Sequence, residues 1–330
     1  MNGDFPADDV FPVVYSLLSP GALVSEVIAQ YPIDGPVDVR LYVGVNDTYT
    51  LTTPTASYIL RIYRTGWRSP ADVRYELDLL AHLDRKGLSV ATGITRRDGT
   101  VLGTLHAPEG PRLAVLFTYA HGTEPLETEM HSAQLGRALA QIHSATADFV
   151  SPHPRFVIDL PYLLDQPLTV LQPVLAHRPA DWTYLRHLAD ELHLRIQDLP
   201  ASALTRGVCH GDFQRKNTRI SKAGVVTTFD FDHCGPGWHA YDLAVFRPAS
   251  LDPAQETLWH AFLDGYTAER RLGEVDRAAI PLFVASIRIH TMGFFAAHRY
   301  NSLWGSDMMH DRFFDAELAF LRSWMAAHPG

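Results

Sequence analysis

With 330 residues, 46% of them hydrophobic and 20% charged, the chain is long enough for two packed units and has an ordinary globular composition. Its formal charge of −9, from 28 basic against 37 acidic side chains, argues against a nucleic-acid partner and suits neutral or cationic substrates. Two cysteines, Cys209 and Cys234, exclude a disulfide framework, and no uninterrupted apolar stretch nears the roughly 18 residues of a membrane span.

The first dozen residues carry Asp4, Asp8 and Asp9 where a secretion signal would be basic, so a cytoplasmic protein is expected. Residues 37–63 read as strands. Val37–Gly44 and Tyr49–Thr52 alternate around a Gly-Val-Asn-Asp turn, and Ser57–Tyr63 is a third alternating run. Ser69-Pro70 starts a helix, with Asp72 in its first turn and Val73, Leu77, Leu80 and Leu83 along one stripe up to Lys86-Gly87. Val101–Leu105 and Arg112–Thr118 are further strands. This predicts a first lobe, residues 1–119, of sheet plus one helix. Ala120–Pro125 then leads into a helical second lobe, residues 120–330. His131–Ala147, Asp181–Leu199, Leu251–Arg271, Ala278–Tyr300 and Arg312–Ala327 carry helical apolar stripes there. Among them, Asn217–Ser221 and Val225–Asp230 are strand-like pieces joined through Lys222-Ala-Gly224, a hairpin holding Asn217 at one end and Asp230 at the other.

The chemistry-bearing stretch is Cys209-His-Gly-Asp-Phe-Gln-Arg-Lys-Asn217, followed thirteen residues after Asn217 by Asp230 in Phe229-Asp-Phe-Asp232. Phosphoryl transfer needs a carboxylate beside the attacking hydroxyl and oxygen ligands for a magnesium ion that neutralises phosphate charge. Asp212, Asn217 and Asp230 supply these groups in a workable order. Seventeen histidines form no zinc spacing, and no Gly-x-Ser-x-Gly elbow occurs.

With His210-Gly-Asp212, Asn217, Phe229-Asp230-Phe231 and Tyr241-Asp242-Leu243-Ala244, the segment Val208–Phe246 resembles the aminoglycoside phosphotransferase/choline kinase branch of the protein-kinase-like fold. Within that superfamily the layout is most similar to the homoserine kinase type II and bacterial stress-response Ser/Thr kinase group. The resemblance implies an α+β, two-lobed fold: an antiparallel N-lobe sheet with one main helix, and a mostly helical C-lobe with a short catalytic hairpin. It implies Asp212 as catalytic base or hydroxyl-positioning carboxylate, and Asn217 and Asp230 as Mg²⁺ ligands. Asp232 would touch a second metal or, as favoured, be solvated, His210 would brace the loop, and Asp242 would hydrogen-bond back onto it. In the first lobe Arg61 stands where relatives carry the lysine that reaches the ATP phosphates, with Glu76 as its partner. Asn46 or Thr48 would touch phosphate, Phe117 would line the adenine pocket, and the Thr118 carbonyl and Ala120 N–H would read the adenine edge. Gln214 departs from the His or Lys common at its position, as Arg61 departs from lysine.

The implied activity is ATP- and Mg²⁺-dependent transfer of a γ-phosphoryl group to a small-molecule hydroxyl on an amino alcohol, amino acid or aminoglycoside-like antibiotic. A bacterial protein Ser/Thr kinase and a catalytically silent pseudokinase scaffold stay open as other readings. Relatives build the acceptor pocket from C-terminal helices, which here carry Arg288, His290, His298, Trp304, Asp307 and Asp311. That mixture of aromatic and acidic groups suits an amine-bearing acceptor, and a packed helical face carries the same letters.

Overall fold

The computed structural model describes residues 11–247, 252–298 and 310–329. By contacts the chain divides into two units, Met1–Pro70 with Gly93–Tyr119, and Ala71–Thr92 with Ala120–Gly330. The helix Pro70–Arg85, grouped with the sheet on sequence, falls from Ala71 onward in the second unit.

The first unit is built on a five-stranded sheet. Strands β1 (Asp38–Val43), β2 (Asp47–Thr52), β3 (Ser57–Ile62), β4 (Gly103–Ala107) and β5 (Gly110–Thr118) lie in the order β1-β2-β3-β5-β4, every neighbour antiparallel. Side chains alternate between faces with a period of two. One face buries Tyr49, Leu51, Leu60, Ile62, Ala114 and Leu116. It is covered by successive helical turns, Pro20–Ala22, Leu23–Val27 and Ile28–Gln30, which contribute Leu23 and Ile28, with Tyr31 following. Each such large side chain removed from water stabilises the unit by about 1.5–3 kcal/mol before conformational entropy is counted. By register, Thr48 lies opposite Arg61 and Arg61 opposite Val115, so these residues and Phe117 share the other face. A buried ion pair ties β2 to β5: Arg112 Nη2 lies 2.6 Å from Asp47 Oδ2, and Tyr15 donates to Asp47 Oδ1 at 2.7 Å.

In the second unit the helices Glu129–Ala145 and Pro253–Glu269 cross backbone against backbone. A Cβ at Gly136 would lie 1.9 Å from the Phe262 carbonyl oxygen, and one at Gly265 would lie 2.0 Å from that of Ala133. Only glycine permits this approach, which carries Tyr266 to His143 on the facing helix. The helix Glu274–His298 is long and apolar enough to cross a membrane by composition. Here its apolar length serves the core: Ala279, Phe283, Ile289 and Met292 are fully buried, and it packs on the helices Gln166–Val174 and His239–Phe246. Two small ladders frame the central loops. Strand β6 (Arg206–Cys209) pairs with β9 (Gly235–Trp238), and β7 (Thr218–Ile220) with β8 (Val226–Thr228).

Candidate active site

The chain leaves β6 into the loop that begins at His210. Gly211 has φ +86°, and a Cβ there would lie 2.0 Å from the His233 carbonyl oxygen, so the turn admits only glycine. Asp242 fixes the loop by accepting the His210 N–H at 2.6 Å and the Gly211 N–H at 2.8 Å. Tyr241 donates its hydroxyl to the Gly211 carbonyl at 3.1 Å. His210 Nδ1 accepts the Asp212 N–H at 3.2 Å, which assigns the ring proton to Nε2, donating to the Phe229 carbonyl at 3.1 Å. Burial holds the His210 pKa at about 4, so the ring bridges the 210–217 loop and the hairpin as a neutral group.

This arrangement presents Asp212. Its Oδ2 accepts from Asn217 Nδ2 at 2.9 Å and lies 3.7 Å from Lys216 Nζ, while Oδ1 accepts from Gln214 Nε2. Burial pushes the Asp212 pKa up to about 6, and the Asp230 carboxylate pushes the same way against Lys216, Asn217 and Gln214. A carboxylate so tuned is ionised at neutral pH yet more basic than one in water.

Asn217 and Asp230 sit at the open end of the β7–β8 hairpin, which the Phe229 N–H closes on the Asn217 carbonyl at 3.0 Å. Asn217 spends Nδ2 on Asp212, leaving Oδ1 as a hard oxygen acceptor. Asp230, at φ 64°, is the non-glycine residue with positive φ among the described residues. Holding it there costs about 1 kcal/mol or more, strain of the kind that gathers at functional positions. One amide oxygen and one carboxylate fit a magnesium ion, which needs few protein ligands when phosphates complete its shell. Among the described residues no group of three His, Cys, Asp or Glu could hold a metal by itself.

Asp232 corrects the sequence reading. It is 3% exposed rather than solvated, within the turn Phe231–His233. Arg155 pins this segment: Nε donates to the Cys234 carbonyl at 2.6 Å, Nη2 to the Asp232 carbonyl, and Nη1 to the Asp72 carbonyl at 2.9 Å. Arg155 lies in an irregular stretch with no periodicity, and nothing in the sequence singles it out.

His143 is a second residue the sequence reading missed. Its Nε2 donates to Asp242 Oδ2 at 3.0 Å, and its Nδ1 accepts the Tyr266 hydroxyl at 2.9 Å. It stacks on His239, ring centroids 3.9 Å apart and planes 7° from parallel. Burial depresses His143 well below the ordinary value and His239 to about 2. Groups whose folded pKa lies below the unfolded value of about 6.5 leave stability intact above that pH and remove it as pH falls, by up to about 1.4 kcal/mol per unit each. Asp212 and Asp242, raised by burial, take up protons in the folded state and offset part of this loss. Urea unfolding should therefore give a lower stability at pH 5 than at pH 7. Equal values at the two pH values contradict the neutral assignment of His143, His210 and His239.

In the sheet unit Arg61 is 8% exposed, its guanidinium 5.2 Å from the Phe117 ring and 5.7 Å from that of Tyr63. Thr48 faces it across β2 and β3. Asn46 is buried, with Oδ1 accepting the Arg64 N–H at 3.3 Å, so its side chain braces the β1–β2 turn. Thr118 ends β5, and Ala120 follows in the second unit. Glu76 is buried on the helix Pro70–Arg85.

A cavity of about 560 Å³ opens beside the catalytic loop. Gln214 and Lys216, both in contact with Asp212, line it together with Glu124, Phe246, Arg288 and Thr291. Arg288 pairs with Glu317 at 3.1 Å. The other C-terminal candidates lie elsewhere: His290 meets the Tyr162 carbonyl at 3.2 Å, His298 the Phe294 carbonyl at 2.7 Å, and Asp311 pairs with His177 at 2.9 Å. Trp304 and Asp307 lie outside the described residues.

A family model described as the phosphotransferase enzyme family (APH) matches residues 44–277. A homoserine kinase of Mesorhizobium japonicum is 30% identical, the match covering 82% of this chain and 83% of that protein. Two solved structures share the fold. A microcompartment-associated aminopropanol kinase has TM-score 0.78 at 23% identity, covering 93% of this chain and 98% of that one. An amicoumacin kinase in complex with AMP-PNP and Ca²⁺ has TM-score 0.71 at 22% identity, covering 91% and 94%. With its N-terminal antiparallel sheet and helical remainder, the chain has a mixed α+β, kinase-like fold, and it belongs to the APH phosphotransferase enzyme family.

Proposed function

We propose that the protein transfers the γ-phosphoryl group of ATP to a hydroxyl of a small molecule, with Asp212 as the residue that orients the acceptor and takes its proton. The observation that carries this reading is the cavity of about 560 Å³, two of whose lining residues, Gln214 and Lys216, touch the Asp212 carboxylate. A concave, helix-walled space of that size suits one small molecule better than an extended peptide. Its charges are mostly engaged: Arg215 with Glu127 at 2.6 Å, Arg247 with Glu256 at 2.6 Å, and Arg288 with Glu317. Glu124 adds an exposed carboxylate to the wall, which favours an amine on the acceptor. No feature of the cavity calls for a nucleic acid.

Asn217 Oδ1 and the Asp230 carboxylate would hold Mg²⁺, which when bound neutralises charge on the transferring phosphate. Asp212, fixed by Asn217 and Gln214, aligns the acceptor oxygen and receives its proton late, as suits a loose transition state. Lys216 lies close enough to stabilise negative charge on that carboxylate. In the sheet unit we assign Arg61, with Thr48, to the nucleotide phosphates and Phe117 to the base. Arg61→Ala should raise the KM for ATP about tenfold or more, as loss of a charge-assisted hydrogen bond does, and leave the acceptor KM near its wild-type value. An unchanged ATP KM removes Arg61 from the nucleotide site.

The reading is tested by ³¹P NMR of Mg-ATP turnover against amino alcohols, hydroxyl amino acids and aminocyclitol antibiotics, beside a generic protein substrate. A new phosphomonoester on a small molecule supports it. Labelling of the protein substrate alone, or nucleotide binding with no transfer, contradicts it.

A further inference from the structure

A second cavity of about 460 Å³, lined in part by Arg206, Gly207 and Val208 of β6, is not used by the proposed reaction. Its charged walls are of one sign. Arg206 and Arg270 line it, and no Asp or Glu does. Arg206 is exposed and lies over the Trp238 ring at 4.4 Å. Arg270 Nη1 donates to Ser144 Oγ at 3.3 Å. Phe149, Val157, Val208 and Pro236 give it an apolar wall, beside Thr146 and His143.

His239 lines it as well. It is 3% exposed, yet neither ring nitrogen has a hydrogen-bond partner. Nε2 sits so close to β6 that a Cβ at Gly207 would lie 2.3 Å from it. Both nitrogens are enclosed by protein, so an occupant of the cavity would reach the carbon atoms of the ring rather than its polar ones. The ring is also not isolated. It stacks on His143, which donates to Asp242, which in turn accepts the His210 and Gly211 N–H groups.

We infer that this cavity is a binding site for a small organic anion, a phosphate monoester or carboxylate whose charged end meets Arg206 and Arg270 while its body lies against Phe149, Val157 and the His239 ring. Its occupant touches the stacked pair that steadies Asp242, so binding here reports to the catalytic loop without entering it. The inference does not depend on which acceptor is phosphorylated.

The probe is phenyl phosphate, which offers a dianionic end and an aromatic body, measured by calorimetric titration of the full chain with Mg-ADP held at saturation. Saturable binding is expected in wild type, unchanged by Asp212→Asn and weakened about tenfold or more by Arg206→Ala and by Arg270→Gln, as loss of one charge-assisted contact predicts. Inorganic phosphate should bind more weakly because it leaves the apolar wall uncovered, and benzoate in place of phenyl phosphate separates carboxylate from phosphate preference. Arg206 is exposed, so its variant should fold, and an unchanged unfolding midpoint verifies this. No saturable binding in wild type, equal affinity in Arg206→Ala, or loss of binding in Asp212→Asn each overturns the proposal.

Discussion

Asp212→Asn should lower kcat by about 10²–10⁴-fold, the range general acid–base groups contribute, while nucleotide binding persists. The same substitution should raise stability. Burial lifts the Asp212 pKa to about 6 from its ordinary 3.8, so above pH 6 the ionised carboxylate is disfavoured in the fold relative to the unfolded chain. Replacing it by a neutral amide of the same shape removes that penalty, a gain of about 1–2 kcal/mol at pH 7. Activity lost with stability gained separates a chemical role from a structural one. Steady-state kinetics and urea unfolding on one preparation check both halves. An unaltered kcat removes Asp212 from the chemistry, and a destabilised variant removes the account of its burial.

Asp242→Ala should destabilise the protein by about 3–5 kcal/mol. Its two carboxylate oxygens accept the His210 N–H, the Gly211 N–H and the His143 Nε2–H, and all three donors are buried. Truncation strands them together, and each unsatisfied donor costs about 1–3 kcal/mol. The catalytic loop then loses its anchor, so turnover should fall with stability. Asp242→Asn, keeping one oxygen, should retain more of both. Chemical denaturation measures the effect, and a loss below about 1 kcal/mol would show that the loop is held by something else.

Much of the fold was legible because the relevant signals are local. Period-two alternation in Ser57–Ile62 and a proline start with an apolar stripe in Pro70–Arg85 fix element types within a few residues. The segment Pro20–Gln30 was not legible, since its turns are short and acquire helical geometry by covering the sheet. Unit membership of Pro70–Arg85 was also hidden, because packing partners are a long-range property. Spacing singles out Asp212, Asn217 and Asp230 as the candidate site, and the hairpin explains how residues so spaced in sequence come near one another. Arg155, His143 and Tyr266 act across large sequence separations through a backbone carbonyl or a buried ring nitrogen, contacts that leave no pattern in the letters. Asp232 was misread for a related reason: a charged residue in a turn suggests solvent, but this turn is pinned from behind by Arg155.

The central claim is metal-dependent phosphoryl transfer served by residues at the open end of the β7–β8 hairpin. Its most direct test is the rate of γ-phosphoryl transfer from ATP, followed by radiolabel, as Mg²⁺ is titrated for wild type and Asp230→Asn. The account predicts saturation with Mg²⁺ in wild type and a requirement for about a hundredfold more Mg²⁺ in the variant, with no transfer in EDTA. Transfer that survives EDTA, or an identical Mg²⁺ dependence in the two proteins, would contradict it.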